Sequence, residues 1–370
     1  MRYNSDARIV MTLDAGGTNF VFSAVQAEQE IIEPFSLSAR ADTLEEVLGT
    51  IRSGFEQVKE RLTEEASAIS FCFPGPADYE RGIIGDLANL PVFRGGVALG
   101  PFLEEVFSLP VFINNDGDLF TYGEAISGLL PEVNAWLEQS GSPKRYHNLL
   151  GVTFGTGFGG GIVLRGELFL GDNSAAGEIN RFTNKLQPGM SVEESVSIRG
   201  VRRVFARECG ITWQEAPEPR EIFEIGMGLR EGNRQAALRA WEEFALAAGN
   251  AVADAVTLVD GIVVVGGGLS GAHPLFLDRM VQEINHPYQT FQGESLQRLE
   301  ISFYNLENLS QRETFLKGAK REISIPFTHK FLQYDPDQRS GIGISRLGTS
   351  RAVAVGAYNY ALRKMDARSR

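Results

Sequence analysis

Twice along this 370-residue chain an apolar strand runs straight into a glycine- and threonine-bearing turn and out into a second strand, at residues 9–19 and again at 148–161. That repetition suggests two related halves facing each other across a cleft. Strand and helix patterns alternate around both passages, which makes the class α/β. Apolar runs predict strands at 8–13, 21–26, 68–73, 111–113, 148–154, 161–164, 261–265 and 300–304. Leu44, Val47, Leu48, Ile51, Phe55, Val58 and Leu62 recur at steps of three and four, the stripe of an amphipathic helix. Residues 234–260 repeat the pattern over about seven turns.

At roughly 100–200 residues per domain, the length suggests two or three domains. The 47 Asp and Glu outnumber the 35 Lys and Arg, leaving a net charge of -12. A negative surface argues against nucleic acid, whose phosphates are held by basic patches. No stretch approaches the roughly 18–20 consecutive apolar residues that span a bilayer. The apolar run 9–13 is too brief for the core of a signal peptide, so a cytoplasmic chain without a membrane partner is expected. Cys72 and Cys209 are the only cysteines, which excludes a disulfide framework or a cysteine-rich zinc site. The histidines His147, His273, His286 and His329 lack ligand spacing, so no zinc is expected.

Four passages could carry chemistry. In the first, Asp14, Gly16, Gly17, Thr18 and Asn19 lie between two strands. Glycines there let backbone N–H groups approach a phosphate, Thr18 and Asn19 add donors, and Asp14 could hold Mg²⁺ through water. An ordinary hairpin turn would use the same residues. The second, 151–161, sets Gly155 and Gly157 among further glycines with Thr153 and Thr156. Interior glycine costs a strand about 0.5–1 kcal/mol relative to alanine, so close approach of a ligand is the better explanation for so many. Neither passage fits the dinucleotide fingerprint or the Walker loop.

The third passage, 111–118, ends an apolar strand in Asn115, Asp116 and Asp118 ahead of a helical stretch at 119–130. A carboxylate there is well placed to take a proton from a bound hydroxyl, and Asp116 is the candidate base. Asn and Asp are also the preferred N-caps of helices, and spacing alone does not separate the readings. The fourth, 262–270, empties a buried strand into Gly266, Gly267 and Gly268. These could receive the flat ring of a nucleoside or form a crowded strand-to-helix turn.

Taken in order, the passages resemble the ROK family (repressors, open reading frames and kinases), sugar kinases within the actin-like ATPase superfamily. The resemblance spans about residues 9–362. It implies two ribonuclease H-like domains, with 14–19 and 151–161 as phosphate loops and 265–268 as the adenosine turn. The runs 73–76, which includes Gly75, 82–84 and 88–91 resemble its substrate-domain segment, Asn115-Asp116 its catalytic pair, 177–179 its Gly-Glu-Ile passage and 354–362 its closing helix. The implied reaction moves the γ-phosphoryl of ATP, with Mg²⁺, to a hydroxyl of a hexose or N-acetylhexosamine, with Asp116 as base. Asn89, Asn115, Glu178 and Glu193 would hold the other hydroxyls. Closure of the two halves would exclude competing water.

Members of the family commonly follow Gly-Glu-Ile with Gly-His and a cysteine-rich zinc loop. Here Asn180-Arg181 follow, and 183–191 contains no cysteine. Arg181 has donors only and does not copy an imidazole; it either contacts the substrate or is a surface residue on a re-routed loop. Asp118 stands where Asn is usual, adding negative charge near the candidate base. The expected division is 1–125 and 126–350, with a closing helix at 351–367 returning to the first part. Segments 131–147 and 324–349 are read as insertions, the latter without a role. The resemblance also implies a homodimer. The alternatives to a kinase are a silent sugar sensor and a transcriptional regulator, the latter disfavoured because only 1–7 precede the first strand.

Overall fold

In the computed structural model, which describes residues 3–15, 19–87 and 90–368, β1 (Ile9–Ala15) folds back antiparallel on β2 (Asn19–Gln26), with Asp14 opposite Val21. β3 (Gln29–Glu30) and β4 (Phe35–Ser38) pair with β2. After α1 (Leu44–Arg61), β5 (Ala66–Cys72) lies parallel to β1. The short ribbon of β6 (Ala77–Asp78) and β7 (Ile83–Ile84) and helix α2 (Leu99–Phe107) then lead to β8 (Val111–Asn114), parallel to β5, and α3 (Asp116–Ser127). The sheet order is β3-β2-β1-β5-β8.

Local sequence accounts for α1 in detail. Thr43 and Glu46 form a reciprocal capping box at its start. The apolar stripe then buries Val47, Ile51, Phe55 and Val58. Phe55 packs edge-on against Phe22 with centroids 5.3 Å apart. Gly54 lies directly over the Phe22 ring, where any Cβ would collide with it.

The chain then runs through α4 (Leu129–Gln139), β9 (Leu149–Phe154), β10 (Phe158–Leu164), β11 (Glu167–Leu168), α5 (Ile198–Cys209), α6 (Pro219–Met227), α7 (Arg234–Val259), β12 (Ile262–Gly266), α8 (His273–Ile284), β13 (Tyr288–Gln289), β14 (Ser295–Leu296), β15 (Ser302–Asn305), α9 (Leu309–Lys317), β16 (Arg321–Ser324), β17 (Phe331–Tyr334) and β18 (Arg339–Ile344). A second six-stranded sheet has the order β11-β10-β9-β12-β18-β15, while β13 with β14 and β16 with β17 form separate two-stranded ribbons. As in the first sheet, one antiparallel pair (β9 with β10) is extended by parallel strands. The chain divides into one unit of Met1–Ser127, Leu168–Ala176 and Leu347–Arg370 and another of Gly128–Glu167 and Gly177–Arg346. The last helix, α10 (Thr349–Arg368), belongs to the first unit and packs on α3. No helix among the described residues is long and apolar enough to cross a membrane.

Two readings of the sequence need correction. Segment 131–147 is no simple excursion, because α4 occupies 129–139 and buries Leu129, Leu130, Val133 and Leu137. Segment 324–349 contains β18, an inner strand between β12 and β15. Its sequence, Arg-Ser-Gly-Ile-Gly-Ile, hides the strand because glycine has poor β-propensity. Pairing on both edges supplies what propensity lacks, and Gly341 and Gly343 leave room for Leu306 and Leu129.

Candidate active site

In the first unit, β8 delivers Asn115 and Asp116 to the start of α3. The Asn115 carbonyl accepts from the Leu119 N–H at 3.1 Å, and its side-chain oxygen accepts from the Gly117 N–H at 2.8 Å. Asn115 is therefore the cap, and Asp116 is the first helical residue with a solvent-accessible side chain. The capping alternative thus belongs to its neighbour. Protein packed around Asp116 pushes its carboxyl above the ordinary range; the Gly117 N–H opposes the shift and the negative charge of Asp14 adds to it.

Asp14 lies level with Cys72 on the adjacent strand, and the Cys72 sulfur is 3.6 Å from its Oδ1. Burial, with Asp14 and Asp116 nearby, pushes the Cys72 thiol up, so it stays a neutral donor. Asp14 is exposed and enters no ion pair among the described residues. Asn19 opens β2 opposite Ser38. Gly16, Gly17, Thr18 and Asn89 lie outside the described residues. Near Gly75 the buried Tyr79 donates its hydroxyl to the Phe73 carbonyl at 2.9 Å. Burial raises the Tyr79 phenol while a hydrogen bond with Asn115 lowers it, so Tyr79 links the 73–76 turn to the cap of α3. Sequence reasoning missed Tyr79, which no local pattern marks. Asp118 is buried in α3, where it acts after burial to push Tyr360 up to about 12.

In the second unit the structure brings both glycine turns to one end of the sheet. Gly155-Thr156-Gly157 joins β9 to β10, and the Gly155 N–H donates to the Gly157 carbonyl at 3.0 Å. Thr153 sits opposite Gly159, whose missing Cβ leaves space for the Thr153 hydroxyl. Gly266 ends β12, Gly267 follows at φ +84°, and the Leu269 N–H donates to the Phe154 carbonyl at 2.9 Å. A Cβ on Gly267 would strike that carbonyl, whereas Gly268 has open space. The second and fourth passages are thus one backbone surface beyond Phe154.

Glu193 closes the same turn. Its Oε2 accepts from the Phe158 N–H at 3.0 Å and would lie 2.6 Å from a Cβ at Gly157, and its other oxygen is 3.4 Å from Arg199. Gly177 packs its backbone on Gly160 at φ +82°. Glu178 then precedes the 3-10 turn Ile179–Arg181, and both Glu178 and Arg181 are exposed. Arg181 enters no ion pair among the described residues.

Loop 183–191 is organised by Asn184, which is fully buried. Its Oδ1 accepts from the Leu186 and Gln187 N–H groups at 3.0 and 3.1 Å, and its Nδ2 donates to the Ser195 hydroxyl at 2.8 Å. Thr183 and Ser191 bridge the loop's ends. Asparagine is a common turn residue, so sequence reasoning had no reason to single it out.

Residues 10–304 match the family model described as ROK family. The crystal structure of a glucokinase from Parabacteroides distasonis is 52% identical, covering 98% of this chain and 99% of that one, with a TM-score of 0.91. A glucokinase from Thermotoga maritima is 26% identical over 297 residues, 74% of this chain and 86% of that enzyme. A ROK glucokinase from Streptomyces griseus, solved with glucose and AMPPNP, shares the fold at 19% identity and a TM-score of 0.58, over 94% of this chain and 98% of that one. With its family model matched over most of its length, and glycine turns and an Asn-Asp pair at strand ends, this chain belongs to the ROK family.

Proposed function

We infer that the protein is an ATP-dependent sugar kinase that phosphorylates a hydroxyl of a hexose or N-acetylhexosamine. The observation that carries this reading is Asp116, an accessible carboxylate at the head of a helix, its pKa raised by its surroundings and in no ion pair among the described residues. A sensor has no need of such a group. In the proposed reaction Asp116 takes the proton of the sugar hydroxyl as its oxygen attacks the γ-phosphorus of ATP, and ADP leaves. Thr153, Gly155, Thr156 and Gly157 hold the phosphates with Asp14 to Asn19, while Gly266 to Gly268 receive the adenosine. Gly75, Asn89, Asn115, Glu178 and Glu193 hold the sugar, and Arg181 is an exposed neighbour of that set.

Asp14, exposed and in no ion pair among the described residues, fits a carboxylate that holds Mg²⁺ through water; when bound, the ion would neutralise phosphate charge. Zinc has no part in the reading. Positioning and charge stabilisation supply most of the catalysis in phosphoryl transfer, which suits a site made largely of backbone amides. The reading extends to a homodimer in the cytoplasm, acting on a small sugar, with neither nucleic acid nor membrane as partner; the net charge of -12 supports the exclusion of nucleic acid.

An assay of ADP release over a panel of hexoses and amino sugars tests it. Sugar-dependent ADP with at least one member is the expected result. No ADP above background with any sugar would move the assignment to a sensor, and light scattering on the same sample checks the dimer.

A further inference from the structure

A cavity of about 750 Å³ opens in the second unit at the end of the sheet opposite the glycine turns. Its walls are the approach to β9 (Lys144 to Asn148), the turn after β10 (Arg165), the end of α7 (Asp260), the segment before β15 (Arg298, Glu300) and the first residue of β18 (Arg339). β9 runs from this cavity at Asn148 to Gly155, and at about 3.3 Å per residue that places the two roughly 20 Å apart. The cavity is therefore separate from the nucleotide surface. Its volume falls within the range of about 300–1,000 Å³ usual for small-molecule sites.

The walls are braced to one another. Asn148 donates to the Val259 carbonyl at 3.0 Å and accepts from the Arg165 N–H at 2.9 Å, tying the start of β9 to α7 and to the turn after β10. The Gly166 N–H donates to the His147 carbonyl at 3.0 Å. Tyr146 donates its hydroxyl to the Arg339 carbonyl, which fixes the start of β18.

Two of the lining cations serve the fold. Arg298 is buried against Asp254 and the Asn250 carbonyl, both at 3.0 Å, and Arg339 is buried against Asp335 at 2.8 Å. Arg145 is spent on the Ser142 and Lys144 carbonyls, at 2.7 Å each. That accounting leaves Lys144 and Arg165, neither of which enters an ion pair among the described residues, although the chain as a whole carries a charge of -12. Lys144 is half-buried and Arg165 exposed, so both side chains can meet an anion, and cations in a concave wall raise the local concentration of one. Asp260 and Glu300 share the lining and can accept hydroxyl hydrogen bonds.

We propose that this cavity is a second ligand site, for a small phosphorylated polyol, with Lys144 and Arg165 on the phosphate and Asp260 and Glu300 on the hydroxyls. A phosphate alone would leave both carboxylates facing a like charge, and a neutral sugar would leave both cations unanswered. The site is independent of the kinase reading, because none of its residues belongs to the proposed catalytic set.

Titration calorimetry on the intact protein tests the assignment, with glucose 6-phosphate, ribose 5-phosphate and inorganic phosphate as probes, each repeated on Lys144→Glu/Arg165→Glu and on the milder Lys144→Gln/Arg165→Gln. The expected result is that a sugar phosphate binds the unmodified protein at least 10-fold more tightly than inorganic phosphate and loses at least 10-fold in either double variant, with thermal unfolding unchanged in the glutamine pair. Binding that survives both substitutions, or no binding of either sugar phosphate, overturns the proposal. Equal binding of inorganic phosphate and the sugar phosphates also overturns it, leaving an unselective basic surface.

Discussion

The Glu193 carboxylate accepts a hydrogen bond from the Phe158 N–H at 3.0 Å, so a side chain assigned to the sugar also clamps the turn assigned to ATP. One residue therefore bears on both substrates. Hydrogen bonds to a charged group contribute about 1.5–3 kcal/mol. Glu193→Ala should raise KM for ATP and for sugar, each by roughly 10-fold or more. Glu193→Gln keeps an acceptor for Phe158 and should restore the ATP value first. Steady-state kinetics with each substrate varied in turn distinguishes these outcomes, and unchanged ATP kinetics in the alanine variant would remove Glu193 from the nucleotide site.

Asp116→Asn should lower turnover by roughly 10²-fold or more while leaving sugar binding largely intact. Near-normal turnover would refute its role as base.

The acid limb of kcat/KM should have its midpoint above the ordinary carboxylate range, because the base must be ionised and its surroundings raise its pKa. Asp14 contributes to that rise, so Asp14→Asn should move the midpoint toward lower pH even as it weakens metal-dependent activity. The linked stability effect has a definite sign. A carboxyl raised by folding contributes stability below its unfolded pKa and loses that contribution as pH climbs through the folded value. Asp116→Asn should accordingly hold or raise the melting temperature at neutral pH, as read by calorimetry.

Gly267→Ala meets two penalties together, a Cβ driven into the Phe154 carbonyl and a backbone held at φ +84°. A loss of about 1–3 kcal/mol in stability is expected from strain and overpacking. ATP affinity should fall at least 10-fold. Gly268→Ala, with open space around it, is the control and should leave unfolding unchanged.

Asn184→Ala removes the buried amide that organises loop 183–191 and leaves the Leu186 and Gln187 N–H groups without that acceptor. A cost of about 1–3 kcal/mol follows from unsatisfied buried groups. The loop should become protease-sensitive, and KM for sugar should rise more than kcat falls. Chelating transition metals with Mg²⁺ kept in excess should leave the unmodified protein's melting temperature unchanged; a drop would reveal a metal doing the work assigned here to Asn184.

Much of this arrangement was legible from one dimension, because its signals are local. Apolar stripes mark α1 and α7, and the strands flanking the glycine turns carry their own apolar runs. The Asn-Asp pair at the end of β8 is likewise a short-range pattern, although only the geometry separates the cap, Asn115, from Asp116.

What sequence by itself determined is the α/β class, the doubled strand-turn-strand plan and the candidate base, since each depends on residues a few positions apart. Tertiary structure alone decided that the glycine-rich strand β18 lies inside its sheet, that Gly267 abuts Phe154, that Asn184 holds its loop and that Lys144 and Arg165 line one cavity. Those relations join residues distant in the chain, through pairing and packing that no local propensity encodes.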